Sequence, residues 1–424
     1  MDRELLKHKI KHNTERTIAV FKWIIFSLLM GAGCGLIGAL FQKGVFFVTE
    51  QRMANPLIML LLPVGAMAIV FFYRRLGEKK DPGTNLILDA IHSGEVIPLR
   101  MSVLIFFSTI FSHLCGASVG REGAALQIGG SIGQNVGKLF RFDSNDRNTI
   151  TMCGMSAVFS ALFGTPVAAA FFSMEVVSVG IMHYAALVPC AISSIMARFI
   201  ASLFSVEAPH FAIPAVAETA DIRAYLLIAL TAALAGLVSI LFVLSLHGTS
   251  FVLKKVTKSP YLKAFLGGSF VLLLTAILGF DAQTFNGAGV EVIRNTVENG
   301  ANWYDFLLKM LFTAVCLSCG YKGGEIVPAF FIGASFGAFF GGLVGLPIPL
   351  SAAIGMCALF VGITNCPVTG LLIAFELFGM ENWPFFLLTV AIAYVVSGYF
   401  GVYKSQTIVY SKFHSNYINK NTQQ

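Results

Sequence analysis

The chain has 424 residues, of which 56% are hydrophobic and 12% charged, with a mean hydropathy of +0.77. That is about half the charged fraction of a soluble domain, which excludes an ordinary soluble enzyme or binding module. The formal charge of +7 does not point to nucleic acid either, because Lys and Arg gather at the ends of apolar runs, as the positive-inside rule expects.

Residues 1–16 are polar and basic and read as a cytoplasmic segment. Lys7, Lys9, Lys11 and Arg16 precede a long apolar run that lacks a small-residue cleavage site in the usual place, so no cleaved signal peptide is expected. Apolar stretches then follow at 18–41, 56–73, 101–117, 124–138, 149–163, 183–204, 224–247, 263–280, 304–318, 328–347, 351–363 and 383–400. Several are shorter than the ~20 residues of a simple spanning helix, and many contain Gly or Pro. They predict an all-α polytopic membrane protein with tilted and broken helices, whose irregular backbone lines a protein-enclosed cavity. The 41 glycines and 39 phenylalanines agree, since small residues let membrane helices approach closely.

Charge supplies a topology. Arg74, Arg75, Lys79 and Lys80, and later Lys254, Lys255 and Lys258, read as cytoplasmic. The linker 205–221 holds Glu207, Glu218 and Asp221 but no Lys or Arg, and reads as extracellular. The expected divisions are a first transmembrane repeat over 17–204, a second over 222–402, and a final helix with a cytoplasmic tail over 403–424. The short polar end of the chain, from Lys412 to Gln424, carries no expected nucleotide-sensing module.

The two halves resemble each other. Phe163-Gly164-Thr165-Pro166-Val167 runs on to Glu175, and Asn365-Cys366-Pro367-Val368 runs on to Glu376; the Pro-to-Glu spacing is nine in both. Each half also holds a Gly-Glu break before a small-residue helix: Gly120-Arg121-Glu122-Gly123-Ala124, and Gly323-Gly324-Glu325-Ile326-Val327-Pro328. Like motifs in like order, starting from opposite sides, predict an inverted repeat.

Arg121 and Glu122 place charge inside membrane-grade sequence. Ionisable residues at that depth are costly and mark substrate or proton pathways. A helix starting there turns free N–H groups and a positive dipole end toward whatever precedes it. The pattern predicts an anion site in which Glu122 is a built-in competing anion. The alternative is a structural pairing of Glu122 with Arg121, which the rarity of face-to-face sequence neighbours on a helix disfavours.

Other chemistries find little support. The eight cysteines lie mostly in apolar runs, and Cys316-x-x-Cys319 is the only tight spacing, with no second pair for a metal. The histidines form no ligand cluster, so neither metal nor cofactor is expected. A membrane enzyme would need a zinc helix, a Ser/His pair or a nucleotide loop, and Gly129-Gly130-Ser131 lacks the lysine of a P-loop.

From about residue 17 to 415 the chain resembles the CLC family of chloride channels and anion/proton antiporters. The resemblance rests on the two Gly-Glu loops, on Gly83-Thr84-Asn85-Leu86-Ile87 at the place of a Gly-Ser-Gly-Ile-Pro loop, and on Tyr403 in Phe400-Gly401-Val402-Tyr403-Lys404. It implies a homodimer in the cell membrane, with one anion pathway per subunit, no cytoplasmic CBS pair and no catalytic residue. It makes Glu122 the gating and proton-transfer glutamate. It implies anion ligands from Gly83, Thr84, Asn85, Gly120, Arg121, Gly123, the Ile326 and Val327 N–H groups, and Tyr403, with Tyr399 and Tyr410 as rival tyrosines. Glu325 is either a second carboxylate on the path or a structural acceptor.

Three departures from the patterns of the family bear on function, two from the chloride type and one, at Val327, from the fluoride type. Thr84 replaces the usual serine, and its loop looks more like the fluoride-exporting branch; its hydroxyl serves as ion donor or helix cap. Val327 stands where fluoride-type relatives carry threonine, and its side chain cannot donate. Glu175-Val176 replaces the Glu-Glu pair of chloride/proton antiporters, removing the inner proton site and leaving Glu175 and Glu376 as helix caps or braces in the dimer core. The resemblance therefore implies fluoride/proton antiport, with a chloride channel or chloride-selective transporter as the alternative.

Overall fold

The structure is a computed structural model that describes residues 3–77, 83–94, 97–215, 221–280, 283–414 and 416–422, with side chains described from residue 12 onward. Lys79, Lys80 and Glu218 lie outside the described residues, as do the side chains of the basic residues before His12.

The first half runs through α1 (Arg3–Ala54), α2 (Leu62–Arg75), α3 (Asn85–Ser93), α4 (Leu99–Cys115), α5 (Glu122–Leu139), α6 (Ser144–Phe163), α7 (Pro166–Glu175) and α8 (Leu187–Leu203). The second comprises α9 (Ile222–Val256), α10 (Pro260–Leu278), α11 (Val290–Asn299), α12 (Asp305–Cys319), α13 (Ile326–Val344), α14 (Ile348–Thr364), α15 (Pro367–Phe378) and α16 (Trp383–Val396). Among the described residues, six helical stretches are long and apolar enough to cross a membrane. The expected break near residue 17 falls inside α1, which continues unbroken from the basic segment into the apolar one.

The halves are built alike at the atomic level. α5 packs on α6 and α13 on α14 through glycines at matching places. A Cβ on Gly129 would lie 2.9 Å from the Met155 nitrogen, and one on Gly333 2.9 Å from the Met356 Cα. Only hydrogen side chains let these helices approach so closely. α7 and α15 then meet across the pseudo-symmetry. Glu175 accepts from the Val368 N–H at 3.0 Å and from the Thr369 N–H and hydroxyl at 2.8 and 2.6 Å. Glu376 accepts from the Val167 and Ala168 N–H groups at 3.0 and 2.8 Å. Each half thus caps the helix start of the other, within one chain, because a helix beginning with proline still leaves its next N–H groups to be satisfied.

The expected final helix over 403–424 is not formed. α16 is the last helix, and the chain continues into β2 (Thr407–Tyr410) and β3 (Tyr417–Asn421), which join β1 (Ser178–Val179) in the order β1-β2-β3. β1 pairs parallel and β3 antiparallel with β2. Thr407, Ile408 and Val409 are β-branched and favour the pleated conformation over a helix. Gln406 fixes the start of β2. Its side-chain amide donates to Val176 O at 3.0 Å and Thr364 O at 2.8 Å, tying it to the ends of α7 and α14.

Candidate functional site

The two Gly-Glu breaks meet. Gly120 and Gly324 form a two-residue antiparallel bridge, with N–H···O distances of 2.7 and 2.8 Å. It brings the starts of α5 and α13 together. A Cβ on Gly123 would stand 3.0 Å from the Gly324 Cα and 2.9 Å from the Thr84 hydroxyl, so this junction needs glycine. The first N–H groups to reach helical carbonyls are Ala125, to Arg121 O, and Ala329, to Glu325 O. Earlier N–H groups, from Glu122 to Ala124 and at Ile326 and Val327, therefore have no partner in their own helix. Two positive helix ends converge on one spot.

Glu122 occupies that spot. It is wholly buried. One carboxylate oxygen accepts from the Arg121 N–H at 2.9 Å, and the Val327 N–H of the opposing helix also acts on the carboxylate. The other oxygen has no hydrogen-bond partner. The Arg121 Nε lies 3.6 Å from it, an ion pair beyond hydrogen-bond range. Arg121 and Glu122 do face each other, contrary to the helix-neighbour expectation. Arg121 is the N-cap, with φ −119° and ψ −11°, and so lies off the helical spiral.

Glu325 caps α13 by position without a side-chain cap bond. One of its oxygens is buried without a partner, and it lies within electrostatic reach of Glu122. Two carboxylates thus face one junction. Arg121, Val327 and Phe330 line a small depression together with Pro209 and Phe211 from the segment before α9.

The remaining predicted residues gather nearby. Gly83 has φ +66°, a conformation that favours glycine. Thr84 precedes α3 but makes no side-chain cap bond; its hydroxyl donates instead to Gly123 O at 3.4 Å, placing it against the first turn of α5. Asn85 is turned elsewhere: its side-chain oxygen accepts from the Ser405 N–H at 3.0 Å and fastens this loop to the one carrying Tyr403. Tyr403 is buried, its hydroxyl has no partner, and it lies within electrostatic reach of Glu325 and Glu122. The rival tyrosines point away. Tyr399 bonds to Ser411, and Tyr410 is half exposed on β2 against Tyr417.

A buried basic group beside the site escaped the sequence reading. Lys309 on α12 is wholly buried and donates to Phe285 O at 3.1 Å and Gly287 O at 2.8 Å. Arg52 donates to His113 O at 3.2 Å. The Arg52 Nε and His113 Nε2 are buried without partners, and both Lys309 and Arg121 act electrostatically on His113. Among the described residues no carboxylate pairs with Arg52 or Lys309. Lys309 was the one visible signal, the single basic residue of the stretch 304–318.

Similarities to known proteins were found over most of the chain. The family model described as "Voltage gated chloride channel" matches residues 64–398. The chain is 36% identical over 403 residues to the "Chloride/fluoride channel protein" of Pseudomonas syringae pv. tomato (strain ATCC BAA-871 / DC3000), covering 93% of this chain and 88% of that protein. It is 28% identical over 396 residues to the "H(+)/Cl(-) exchange transporter ClcA" of Vibrio campbellii (strain ATCC BAA-1116), covering 84% and 82%. In structure it matches a crystal structure of a CLC-type fluoride/proton antiporter with a TM-score of 0.86 at 30% identity, covering 91% of this chain and 98% of that one.

Proposed function

The chain belongs to the CLC family, and from that premise we propose that it is a proton-coupled antiporter that exports fluoride in exchange for protons. One observation carries the reading: the Glu122 carboxylate lies buried where two helix starts converge, with one oxygen held by a backbone N–H and the other unpartnered. Ionised, it takes the place of an anion at those N–H groups. Protonated, it loses its charge and its hold, swings away, and a halide enters. One side chain then moves protons one way and anions the other.

Fluoride as the ion is supported by Thr84 in place of serine and by the similarity to a fluoride/proton antiporter structure. Fluoride gives up a strong hydration shell, and a junction of helix N–H groups with the unpartnered Tyr403 hydroxyl, and with the Thr84 hydroxyl when it turns from Gly123 O to the ion, offers donors in return. Glu325 is the second carboxylate on this path, and Ile326 and Val327 contribute through their backbone. Asn85 serves by holding the Tyr403 loop. The working unit is a homodimer in the plasma membrane with the N-terminus cytoplasmic. Arg74 stacks on Tyr261 at 5.7 Å, putting the basic ends of α2 and α9–α10 on one side, which supports that orientation.

A second reading is a passive chloride or fluoride channel. Val176 in place of an inner proton glutamate favours it, as does the name of the Pseudomonas relative. Liposomes with a fluoride electrode separate the two. The antiporter accumulates fluoride against its gradient when a proton gradient is imposed; a channel passes fluoride or chloride without responding to that gradient.

A further inference from the structure

A groove on the lipid-facing side, away from the ion junction, has features of a binding site. It lies between the C-terminal end of α9 and the middles of α10 and α12, and has a volume of about 550 Å³, within the roughly 300–1,000 Å³ usual for small-molecule sites. Its lining is almost wholly apolar, with Val252 at 56%, Leu266 at 38% and Phe270 at 43% exposed. Small residues open it. A Cβ on Gly248 would meet nothing within 4 Å.

Length and charge select the occupant. The α9 wall runs from Ser245 to Val256. At ~1.5 Å per residue it is roughly 16 Å long, close to half of the ~30 Å hydrocarbon core of a bilayer. The groove is therefore one leaflet deep. Basic residues follow the groove's end in the chain: Lys254 and Lys255 lie in the last turn of α9, Lys258 in the connection to α10, and Lys263 one turn before Leu266 on α10, within electrostatic reach of Lys254. No Asp or Glu occurs from Ile222 to Phe280, so neither helix neutralises this end.

We propose that this groove binds one anionic phospholipid of the leaflet at the basic end, with an acyl chain along α9 and the phosphate among Lys254, Lys258 and Lys263. An apolar slot one leaflet deep with cations at its polar rim matches both halves of such a lipid. A zwitterionic lipid fits the slot and leaves the charge unanswered. A second copy packed on this groove would bring two sets of these lysines into one interface with no carboxylate from α9 or α10 to answer them. The inference is independent of which halide is transported.

The full-length protein, stripped of lipid in detergent, is offered equal phosphatidylglycerol and phosphatidylcholine, and retained lipid is counted by native mass spectrometry. The wild type retains phosphatidylglycerol in preference. The triple substitution Lys254→Gln, Lys258→Gln, Lys263→Gln lowers that preference about tenfold or more. Gly248→Leu fills the slot and releases the lipid; it raises helix propensity, so it stays informative if the triple variant fails to purify. Equal retention of both lipids, or phosphatidylglycerol retention unchanged in either variant, overturns the proposal. So does a self-associated species that Gly248→Leu abolishes, which would assign the groove to a protein contact.

Discussion

Among individual residues, Glu122 is a buried carboxylate with one oxygen unpartnered, a costly arrangement. Neutralising it, or replacing it by an external anion, relieves that cost, and this makes Glu122 responsive to both protons and halide. Thr84 lies one contact away, its hydroxyl against the carbonyl of Gly123. The extra methyl of threonine adds bulk and stiffens χ1, so Thr84→Ser is expected to raise chloride permeation relative to fluoride. Flux ratios in liposomes check this, and an unaltered ratio removes Thr84 from selectivity. The buried Lys309 Nζ donates to two loop carbonyls, of Phe285 and Gly287. Lys309→Met leaves those carbonyls without their donor and is expected to cost about 2–4 kcal/mol of stability, read as a lowered unfolding temperature. A variant that melts like the wild type would show that the loop holds without it. Sequence alone singled out Glu122, because a charge between glycines in apolar sequence has few explanations. It did not reveal that Arg121 folds back to meet Glu122. That contact depends on a non-helical cap conformation no spacing rule encodes.

At the scale of elements, the structure rests on helices that start or stop inside the protein. α7 and α15 exchange caps, and the two exchanges are unequal. Glu175 accepts three hydrogen bonds and Glu376 two. Loss of a cap costs about 0.5–2 kcal/mol, and each further bond about 1 kcal/mol. Both Glu175→Ala and Glu376→Ala are therefore expected to destabilise, the former by more, in a thermal unfolding series. The reverse order would mean that side-chain packing, not capping, sets the effect. The matched Pro-to-Glu spacing was legible in the sequence, and so was a capping role. The exchange of partners was not, since it joins residues 193 or more apart in the chain. The misassigned end of the chain has a similar cause. The β-branched Thr407-Ile408-Val409 run was visible in the sequence, but the Gln406 bonds to the ends of α7 and α14 and the β1 edge that β2 joins come from distant segments.

At the scale of the whole molecule, two repeats are held together by glycine-lined helix pairs and by the bridge between Gly120 and Gly324. Gly129→Ala places a methyl against the backbone of α6, and Gly333→Ala one against the backbone of α14. Overpacking of this kind costs about 1–3 kcal/mol. Both substitutions are expected to lower the unfolding temperature by similar amounts, because the two sites are counterparts. The repeat and the membrane class could be read from hydropathy and from paired motifs. The junction itself could not, because neither Gly-Glu break alone specifies that the other will bond to it. The central claim is that Glu122 and a halide compete for the helix N–H groups at that junction. The most direct test is simultaneous recording of fluoride and proton movement in liposomes bearing wild type or Glu122→Gln. The account predicts proton movement coupled to fluoride in the wild type and none in the variant, whose neutral side chain can neither carry the proton nor contest the site. Proton movement persisting at the wild-type rate in Glu122→Gln would contradict it.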